Sequence, residues 1–250
     1  MYMELLKSCL PVIEKNCRSS LPILYLTLGS KQVESGKHKA CLAFFQEALD
    51  IELEITLRSN LTIREVTALC YISMVVTLVN IEKFKLARKA IERAIQLAES
   101  LPECRQYLWI FRCYTWKGLI QNKMREYITA IDSLKHALVQ LPKISHESYD
   151  KFEEFKCHRA MATAHFYVGS YKDALTSLYD ALSVIKYLFP EGSEGEAQVF
   201  VHVAKVAQKI KNKTLEVSNL RLAYKMFSKV LGENHSQTQV IYIAYARALI

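Results

Sequence analysis

The feature of this chain that most limits its fold is a set of side chains that recurs at fixed separations. An aromatic or histidine residue is followed by a small residue, a bulky apolar residue and an alanine, 16, 20 and 23 positions further on. The sets are Tyr25, Cys41, Phe45 and Ala48; Tyr71, Ala87, Ile91 and Ala94; Tyr114, Ala130, Leu134 and Ala137; His158, Ala174, Leu178 and Ala181; and, more weakly, Phe200, Glu216, Leu220 and Ala223. Self-similarity at a fixed period is the mark of stacked repeats, which usually form binding scaffolds rather than enzymes.

The composition predicts a folded, helix-rich chain. The 250 residues are 51% hydrophobic and include only seven Gly and five Pro, a balance that argues against disorder. The formal net charge of +8 favours acidic partners through long-range attraction. Charge alone does not decide whether such a partner is a nucleic acid, a membrane or a peptide.

Cysteine usage and apolar segments bear on the compartment. Seven cysteines are scattered without a CxxC pair or a spacing typical of zinc, so we expect reduced core residues rather than a disulfide framework. The N-terminus lacks the features of a secretory signal, and we predict a cytoplasmic location. The apolar stretch 66–81 is shorter than the ~20 residues that a bilayer requires and contains Asn80. It predicts a buried helix and no membrane insertion.

Helical periodicity runs through most of the chain. Apolar residues recur every three or four positions in segments such as 84–95 and 127–138, which places them on one face of a helix. No comparable alternation predicts a strand, and clusters of Gly, Pro, Ser and Asn separate the segments. The predicted helices are 20–38, 40–58, 63–81, 83–100, 104–123, 126–141, 147–168, 171–189, 195–211, 214–231 and 237–250.

The repeat is long, but its internal pattern resembles a known family. The alanines that close successive sets lie 42 to 46 residues apart. Within each repeat, the offsets of the aromatic, small and alanine positions resemble the tetratricopeptide repeat (TPR), and Pro142 follows one second helix as it does in that family. The segment 229–238 is similar to the inter-repeat loop of the longer repeats in kinesin light chains and their relatives, with Ser236 in place of a proline.

The resemblance implies an all-α fold, a right-handed α–α superhelical solenoid of TPR-like helical hairpins. Residues 1–20 are then an N-terminal helix or the remnant of a preceding repeat, and residues 21–235 form about five repeats. Residues 236–250 form a terminal helix that is unpaired or caps the stack. Because this helix is apolar, we predict that it packs on the fifth repeat and forms a homodimer through its outer face, or that the chain is a fragment of a longer array.

Catalytic patterns are missing from the sequence. It contains no glycine-rich phosphate loop, no HExxH and no nucleophile elbow. Cys157 and His158 are adjacent, but neighbours on a helix point about 100° apart and do not form a nucleophile and base pair. We therefore predict a protein that is not an enzyme, with no catalytic residues, no metal site and no cofactor.

The TPR resemblance predicts a concave groove lined by the first helix of each repeat. Its groove offsets, counted from the early aromatic residue, are two before and one, two, five, eight and nine after. The candidate partner-binding residues at its basic and aromatic end are Arg112, Trp116, Lys123, Lys156, Arg159, Phe166, Tyr167, His202, Lys205 and Lys209. Such a groove suits a protein or peptide with acidic and apolar residues, because Arg and aromatic side chains carry interface energy and Lys adds steering. The alternative is that a segment of the same chain covers the apolar half of the groove. The basic residues are not dense enough to favour nucleic acid.

These observations predict a non-enzymatic protein–protein interaction scaffold or adaptor that binds a peptide or partner helix in the groove. The alternative is a regulatory or assembly segment of a larger enzyme or signalling protein. The chaperone-binding carboxylate clamp of some TPR proteins is absent, since Leu26, Ser30 and Ser73 stand at its first three positions in one frame, and Thr115, Leu119 and Ala160 in another.

Overall fold

The computed structural model describes residues 61–144 and 150–250, together with a few helical positions between residues 24 and 47. The predicted segment 1–20 and most of the predicted helices 20–38 and 40–58 lie outside the described residues. Over the described ranges the chain forms nine α-helices, one 3₁₀ helix and no strand. The helices are α1 Leu61–Asn80, α2 Phe84–Glu99, α3 Glu103–Lys123, α4 Tyr127–Leu138, α5 Lys151–Val168, α6 Tyr171–Leu188, α7 Glu194–Lys209, α8 Lys213–Leu231 and α9 Ser236–Leu249, with the 3₁₀ helix at Leu141–Lys143.

Local chemistry explains the two predicted helix boundaries that differ most from the structure. Helix α5 begins at Lys151 rather than at residue 147, because the Asp150 carboxylate caps it by accepting the Phe152 N–H at 2.8 Å. Helix α4 ends at Leu138, and the chain then enters the 3₁₀ turn that contains Pro142. Proline lacks the N–H that a continuing helix needs.

The chain divides into two compact units. Unit 1 comprises residues 1–124 and 140–144, and unit 2 comprises residues 125–139 and 145–250. Among the described helices, unit 1 contains α1, α2, α3 and the 3₁₀ turn, whereas unit 2 contains α4 to α9. Consecutive helices form packed pairs, including α1 with α2, α5 with α6 and α7 with α8.

The core of unit 1 forms around the alanine-bearing face of α2. Ala87, Ile91 and Ala94 are all fully buried, and their spacing places them on one stripe of the helix. They pack in one cluster with Val75 of α1 and Cys113 of α3. The small side chains allow the helices to approach closely while isoleucine fills the space between them. The burial pattern agrees with the register predicted for the second repeat, whereas Cys41, Phe45 and Ala48 of the first repeat lie outside the described residues.

The same register organises unit 2. The small, bulky and alanine positions of two repeats are buried there: Ala130, Leu134 and Ala137 on α4, and Ala174, Leu178 and Ala181 on α6. In α8, Leu220 and Ala223 are buried in equivalent places, but the half-exposed Glu216 stands where the second, third and fourth repeats have alanine. The fifth repeat therefore lacks the small side chain at this helix contact.

Four turns between first and second helices share one backbone conformation. In each, a residue with positive φ lies five positions before the repeat's small residue: Glu82 (φ 59°), Arg125 (φ 62°), Gly169 (φ 91°) and Lys211 (φ 58°). In three of these turns the residue after it donates its N–H to the carbonyl five residues back: Lys83 to Leu78, Ser170 to His165 and Asn212 to Ala207. Only one turn uses glycine, the residue for which this conformation is easiest.

Three of the four described cysteines are core residues, as expected. Cys70, Cys113 and Cys157 are buried, and none of the four forms a disulfide. Burial raises the pKa of the Cys113 thiol to about 12, so this side chain stays protonated and unreactive at neutral pH. Cys104 was expected in the core but is exposed, because it lies in the first turn of α3, where its neighbours are also exposed.

Helix α9 packs back onto α8. Its Tyr242 ring lies 5.4 Å from that of Tyr224, measured between centroids, and its Ile241 is buried in a cluster that includes Phe227. In the first turn of α9 the Thr238 hydroxyl donates to the carbonyl of Gly232, in the preceding loop, at 2.8 Å. The outer face stays exposed, with Ile243 at 48% and Leu249 at 61% of their full accessible area.

Candidate functional site

Helix α7 places several predicted site residues on one side of unit 2. Val199, Val203 and Val206 are buried on the face that packs into the core, and their spacing of four and three residues defines an apolar stripe. His202 and Lys205 lie off this stripe and line surface pockets together with residues of α5. The amphipathic pattern of α7 therefore fixes which side chains are available to a ligand.

The first pocket, here called the aromatic pocket, has a volume of about 100 Å³. Its walls come from α5, α6 and α7: Ala162, Thr163, Phe166, Tyr167, Leu178, His202, Lys205 and Val206. Phe166 packs edge-on against Tyr167, with ring centroids 5.4 Å apart, and Tyr167 stacks on Tyr127 at 4.6 Å. These ring contacts hold the aromatic wall in place. The pocket combines this wall with an imidazole and an ammonium group.

The second pocket, here called the basic pocket, has a volume of about 380 Å³. It is lined by Arg159, Gln198, Val201, His202, Lys205, Phe227, Ser236, Gln237, Val240 and Ile241. It shares His202 and Lys205 with the aromatic pocket. None of the described residues that line these two pockets is acidic, so the two pockets present a positive surface.

The third pocket, here called the C-terminal pocket, has a volume of about 510 Å³. It is lined by Val201, Ala204, Lys205, Gln208, Lys213, Glu216, Leu220, Val240, Ile241, Ala244, Arg247 and Ala248. Val201, Lys205, Val240 and Ile241 also line the basic pocket. Lys205 borders all three pockets, and we call these adjoining pockets together the groove of unit 2.

Electrostatics distinguish the centre of the groove. Burial, together with the nearby charges of Arg159 and Lys205, lowers the pKa of His202 to about 4, so its imidazole is neutral at physiological pH. Burial also lowers the pKa of Arg159, and Glu194 partly opposes that effect. Neither Arg159 nor Lys205 forms an ion pair with any described carboxylate. Two cations and a neutral imidazole therefore converge, and the Glu194 carboxylate, which accepts a hydrogen bond from Gln198 at 2.8 Å, acts on Arg159 from nearby.

Two further predicted residues of unit 2, Lys156 and Lys209, line none of the three pockets. The Lys156 ammonium lies 4.8 Å from the centre of the Phe152 ring, which is a cation–π contact on the surface of α5. Lys209 is exposed in the last turn of α7. Both add positive charge to the first helices of this unit.

The predicted site residues of unit 1 lie in packing contacts or, for Lys123, at an exposed helix end. Arg112 lies over the Trp109 ring at 5.2 Å, and the Trp109 indole N–H donates to Glu65 at 3.3 Å. Trp116 is partly buried against the core of unit 1, whereas Lys123 is exposed at the end of α3. The structure thus places Arg112 and Trp116 in packing contacts.

Helices α8 and α9 supply groove residues that the sequence reasoning missed. Lys213 and Glu216 come from α8, and Val240, Ala244 and Arg247 come from α9. A signal for the α9 residues was present. Tyr242 lies 42 residues after Phe200, and the groove offsets of two before, two after and five after the aromatic select these three α9 residues.

Two histidines of α5 that line no groove pocket, His158 and His165, lie near carboxylates. The His158 imidazole lies 3.9 Å from the Glu154 carboxylate and 3.8 Å from that of Asp180, and burial lowers its pKa. His165 lies 3.9 Å from Asp173. Among the described residues, no group of three or more His, Cys, Asp or Glu is placed to hold a metal ion.

No protein-family model and no curated protein matches the sequence, but solved structures match the fold. BtubC (BKLC) from P. vanneervenii, a kinesin light chain-like protein, has a TM-score of 0.70 at 11% identity, over 84% of this chain and 82% of its own. The signal-transduction ATPase (STAND) PH0952 from Pyrococcus horikoshii, which carries a TPR sensor, has a TM-score of 0.63 at 15% identity, over 98% of this chain and 38% of its own. YrrB, described as a TPR protein with an unusual peptide-binding site, has a TM-score of 0.54 at 16% identity, over 93% and 96%.

At sequence identities of 11% to 16%, these similarities show a common fold and nothing further. Paired helices without strands in the described ranges, the buried alanine register and these neighbours define an α-solenoid of helical hairpins. Its fold is that of the tetratricopeptide-repeat proteins, as the sequence predicted. None of the described helices combines the length and apolar character that a membrane crossing requires.

Proposed function

We propose that this protein is a non-enzymatic interaction scaffold or adaptor that binds a peptide or partner helix in the groove of unit 2. The observation that carries the proposal is the position of Lys205, which borders all three adjoining pockets. The α7 residues that line these pockets run from Gln198 to Gln208, a span of about 15 Å along the helix axis. A ligand segment of that length has roughly four or five extended residues. The peptide-binding site of the neighbour YrrB supports this class of function.

The lining of the groove favours a ligand with acidic and apolar residues. Its cations are Arg159, Lys205, Lys213 and Arg247, against the single carboxylate of Glu216. Between them lie apolar side chains such as Val201 and Ile241. Apolar contacts supply affinity, whereas the cations steer an acidic ligand and fix its register. We assign the main ligand contacts to Arg159, Phe166, Tyr167, His202 and Lys205, with Lys156 and Lys209 at the periphery.

Charge reversal on the groove tests the proposal. Acidic and neutral peptides that contain leucine are screened against the chain by fluorescence polarisation, and the best ligand is measured with the double variant Arg159→Glu and Lys205→Glu. We expect at least a tenfold loss of affinity with unchanged helicity. The matched control is Lys172→Glu with Lys225→Glu, since both lysines are exposed on second helices of the same unit. Equal affinity of both double variants at low salt, where attraction is least screened, would refute the assignment.

A second candidate function is a regulatory or assembly segment of a larger signalling protein. The neighbour PH0952 combines a TPR sensor with an ATPase, and the matched region is 38% of that chain. This reading predicts that the product of the complete gene carries a catalytic domain beside this region. Deletion of the region would then change the response of that activity to a ligand. If the complete gene product contained no catalytic domain, this second candidate function would be refuted and the scaffold function would remain.

Two further parts of the proposal concern location and assembly. We propose that the scaffold acts in the cytoplasm, which fractionation of cells that express a tagged chain would test. We also propose that α9 mediates a homodimer, because Tyr242, Ile243 and Leu249 are exposed on its outer face. Light scattering over a concentration series should show a dimer that Ile243→Glu with Leu249→Glu converts to monomer. A mass that stays monomeric at all concentrations would refute the proposed homodimer.

A further inference from the structure

Three basic side chains meet between the aromatic and basic pockets. His202 and Lys205 line both pockets, and Arg159 lines the basic pocket. Arg159 and Lys205 are close enough to His202 to disfavour its protonated form. The Arg159 guanidinium lies 5.3 Å from the Phe155 ring centre, so an aromatic contact holds it at the pocket. The three groups come from only two helices, α5 and α7.

The described residues that line the two pockets beside His202 carry no negative charge. Arg159 reaches it from α5 and Lys205 from its own helix. The other polar side chains that line these pockets are uncharged: Thr163 and Tyr167 of α5, Gln198 of α7, and Ser236 and Gln237 of α9. Outside this lining, the Glu194 carboxylate accepts a hydrogen bond from Gln198 at 2.8 Å and favours the charged form of Arg159. Like charges held together without an ion pair raise the free energy of the empty site, and a bound anion lowers that cost.

We propose that Arg159, His202 and Lys205 form a carboxylate-binding subsite, in which His202 takes up a proton from solvent when the carboxylate binds. This inference rests on the proposed function, because it names the chemistry that the groove recognises. The bound carboxylate stays ionised and accepts hydrogen bonds from the guanidinium and the ammonium group. Its charge offsets those of Arg159 and Lys205, and the imidazolium form of His202 becomes favourable. Binding is therefore tighter in acid than at neutral pH.

The aromatic pocket defines what lies beside the carboxylate. Its volume of about 100 Å³ is smaller than the roughly 150 Å³ cavity that holds a benzene ring. It therefore accepts one aliphatic side chain against Phe166 and Leu178. Since His202 and Lys205 border both pockets, the aliphatic residue and the carboxylate of the ligand are neighbours along its chain. The carboxylate comes from an acidic side chain or from a C-terminus.

The probes are three short peptides that separate these two sources. The first is acetyl-Glu-Glu-Leu-Glu-Glu-amide, the second is its counterpart with Gln in place of every Glu, and the third is the Gln peptide with a free C-terminal carboxylate. Binding to the full chain is followed by NMR of labelled histidine between pH 4 and pH 7.5. The His202 signal is assigned by its loss in His202→Gln. Affinities are measured for the wild type, Arg159→Gln, His202→Gln and the control Lys225→Gln.

We expect a carboxylate peptide to raise the pKa of His202 from its starting value of about 4. A rise of about 1.5 units corresponds to roughly fourfold tighter binding at pH 5 than at pH 7. Arg159→Gln should lose at least tenfold in affinity, His202→Gln should lose the pH dependence, and Lys225→Gln should retain both. Preference for the Glu peptide identifies side-chain carboxylates, whereas preference for the free terminus over its amide identifies a C-terminal one.

Two results would overturn the proposal. If peptides bind and shift groove signals while the titration of His202 stays unchanged and Arg159→Gln binds normally, the subsite is wrong and peptide binding by the groove stands. If no carboxylate peptide changes any groove signal at millimolar concentration, the subsite falls. In that case a ligand found by the charge-reversal screen would show whether the groove binds neutral peptides instead.

Discussion

The first helices α3 in unit 1 and α7 in unit 2 occupy the same place in the repeat but use their polar residues differently. In α3, Arg112 lies over the ring of Trp109, and Trp116 contributes to the core cluster. In α7, His202 and Lys205 line open pockets instead. The buried alanine register is common to both units. A shared repeat frame therefore fixes where helices pack, and the side chains on each first helix decide whether its surface becomes a groove.

The shared frame can be tested by overpacking one equivalent position in each unit. Ala87 and Ala174 are fully buried, so Ala87→Leu and Ala174→Leu should each cost about 1–3 kcal/mol of unfolding free energy. The control is Ala246→Leu, since this alanine is exposed on α9. The free energies are measured by chemical denaturation. Wild-type stability for either buried variant would mean that the two units do not share one register.

The second test concerns the response of unit 2 to acid. The unfolded chain binds a proton on His202 with a pKa near 6.5, whereas the folded chain does so at about 4. The unfolded state therefore binds more protons between these values, and stability falls as pH drops from about 6.5 to about 4. At pH 5 this histidine accounts for about 2 kcal/mol of the loss.

His202→Gln should reduce the difference in unfolding free energy between pH 7 and pH 5 by that amount. His136→Gln is the control, because His136 is exposed on α4 of the same unit. Chemical denaturation at the two pH values checks the prediction. An unchanged acid response in His202→Gln would show that His202 is not held in a positive, desolvated environment.

Much of the fold was predictable from sequence because close packing demands particular side-chain sizes. Ala130 and Ala174 lie at helix contacts where larger residues would clash, so their spacing revealed the register. The positive φ of Arg125 and Lys211 was not predictable, because only the turn with Gly169 carries the residue that signals this conformation. In the turns with Gly169 and Lys211 the same backbone hydrogen bond forms, with or without glycine.

The site was predictable only as a face of certain helices. The groove offsets selected Arg159, His202 and Lys205, which the structure brings together at two adjoining pockets. They also selected Arg112, whose contact with Trp109 depends on rotamers that spacing does not determine. The part contributed by α9, such as Val240 and Arg247, depends on how the last helix packs on α8. Sequence position alone does not give that packing.

The turns offer a third test, with a smaller effect. A Cβ at Gly169 would meet no atom within 4 Å, so Gly169→Ala should destabilise only through its positive φ, by about 1 kcal/mol. Lys211 also has a positive φ in the equivalent turn. Lys211→Gly should therefore be neutral or slightly stabilising, because glycine adopts a positive φ without strain. Thermal unfolding of both variants checks the pair. Equal destabilisation by both would contradict a shared turn geometry.

The smallest expected effect separates the two units most directly. Arg112 and Arg159 each lie over an aromatic ring of their own helix, at 5.2 Å and 5.3 Å, so Arg112→Gln and Arg159→Gln should both cost about 0.5–1 kcal/mol of stability. Only Arg159 also borders the basic pocket. Peptide affinity should therefore fall in Arg159→Gln and stay at the wild-type value in Arg112→Gln, as measured by fluorescence polarisation beside denaturation curves. A loss of affinity in Arg112→Gln would extend the binding surface to unit 1, because the common loss of stability cannot account for it.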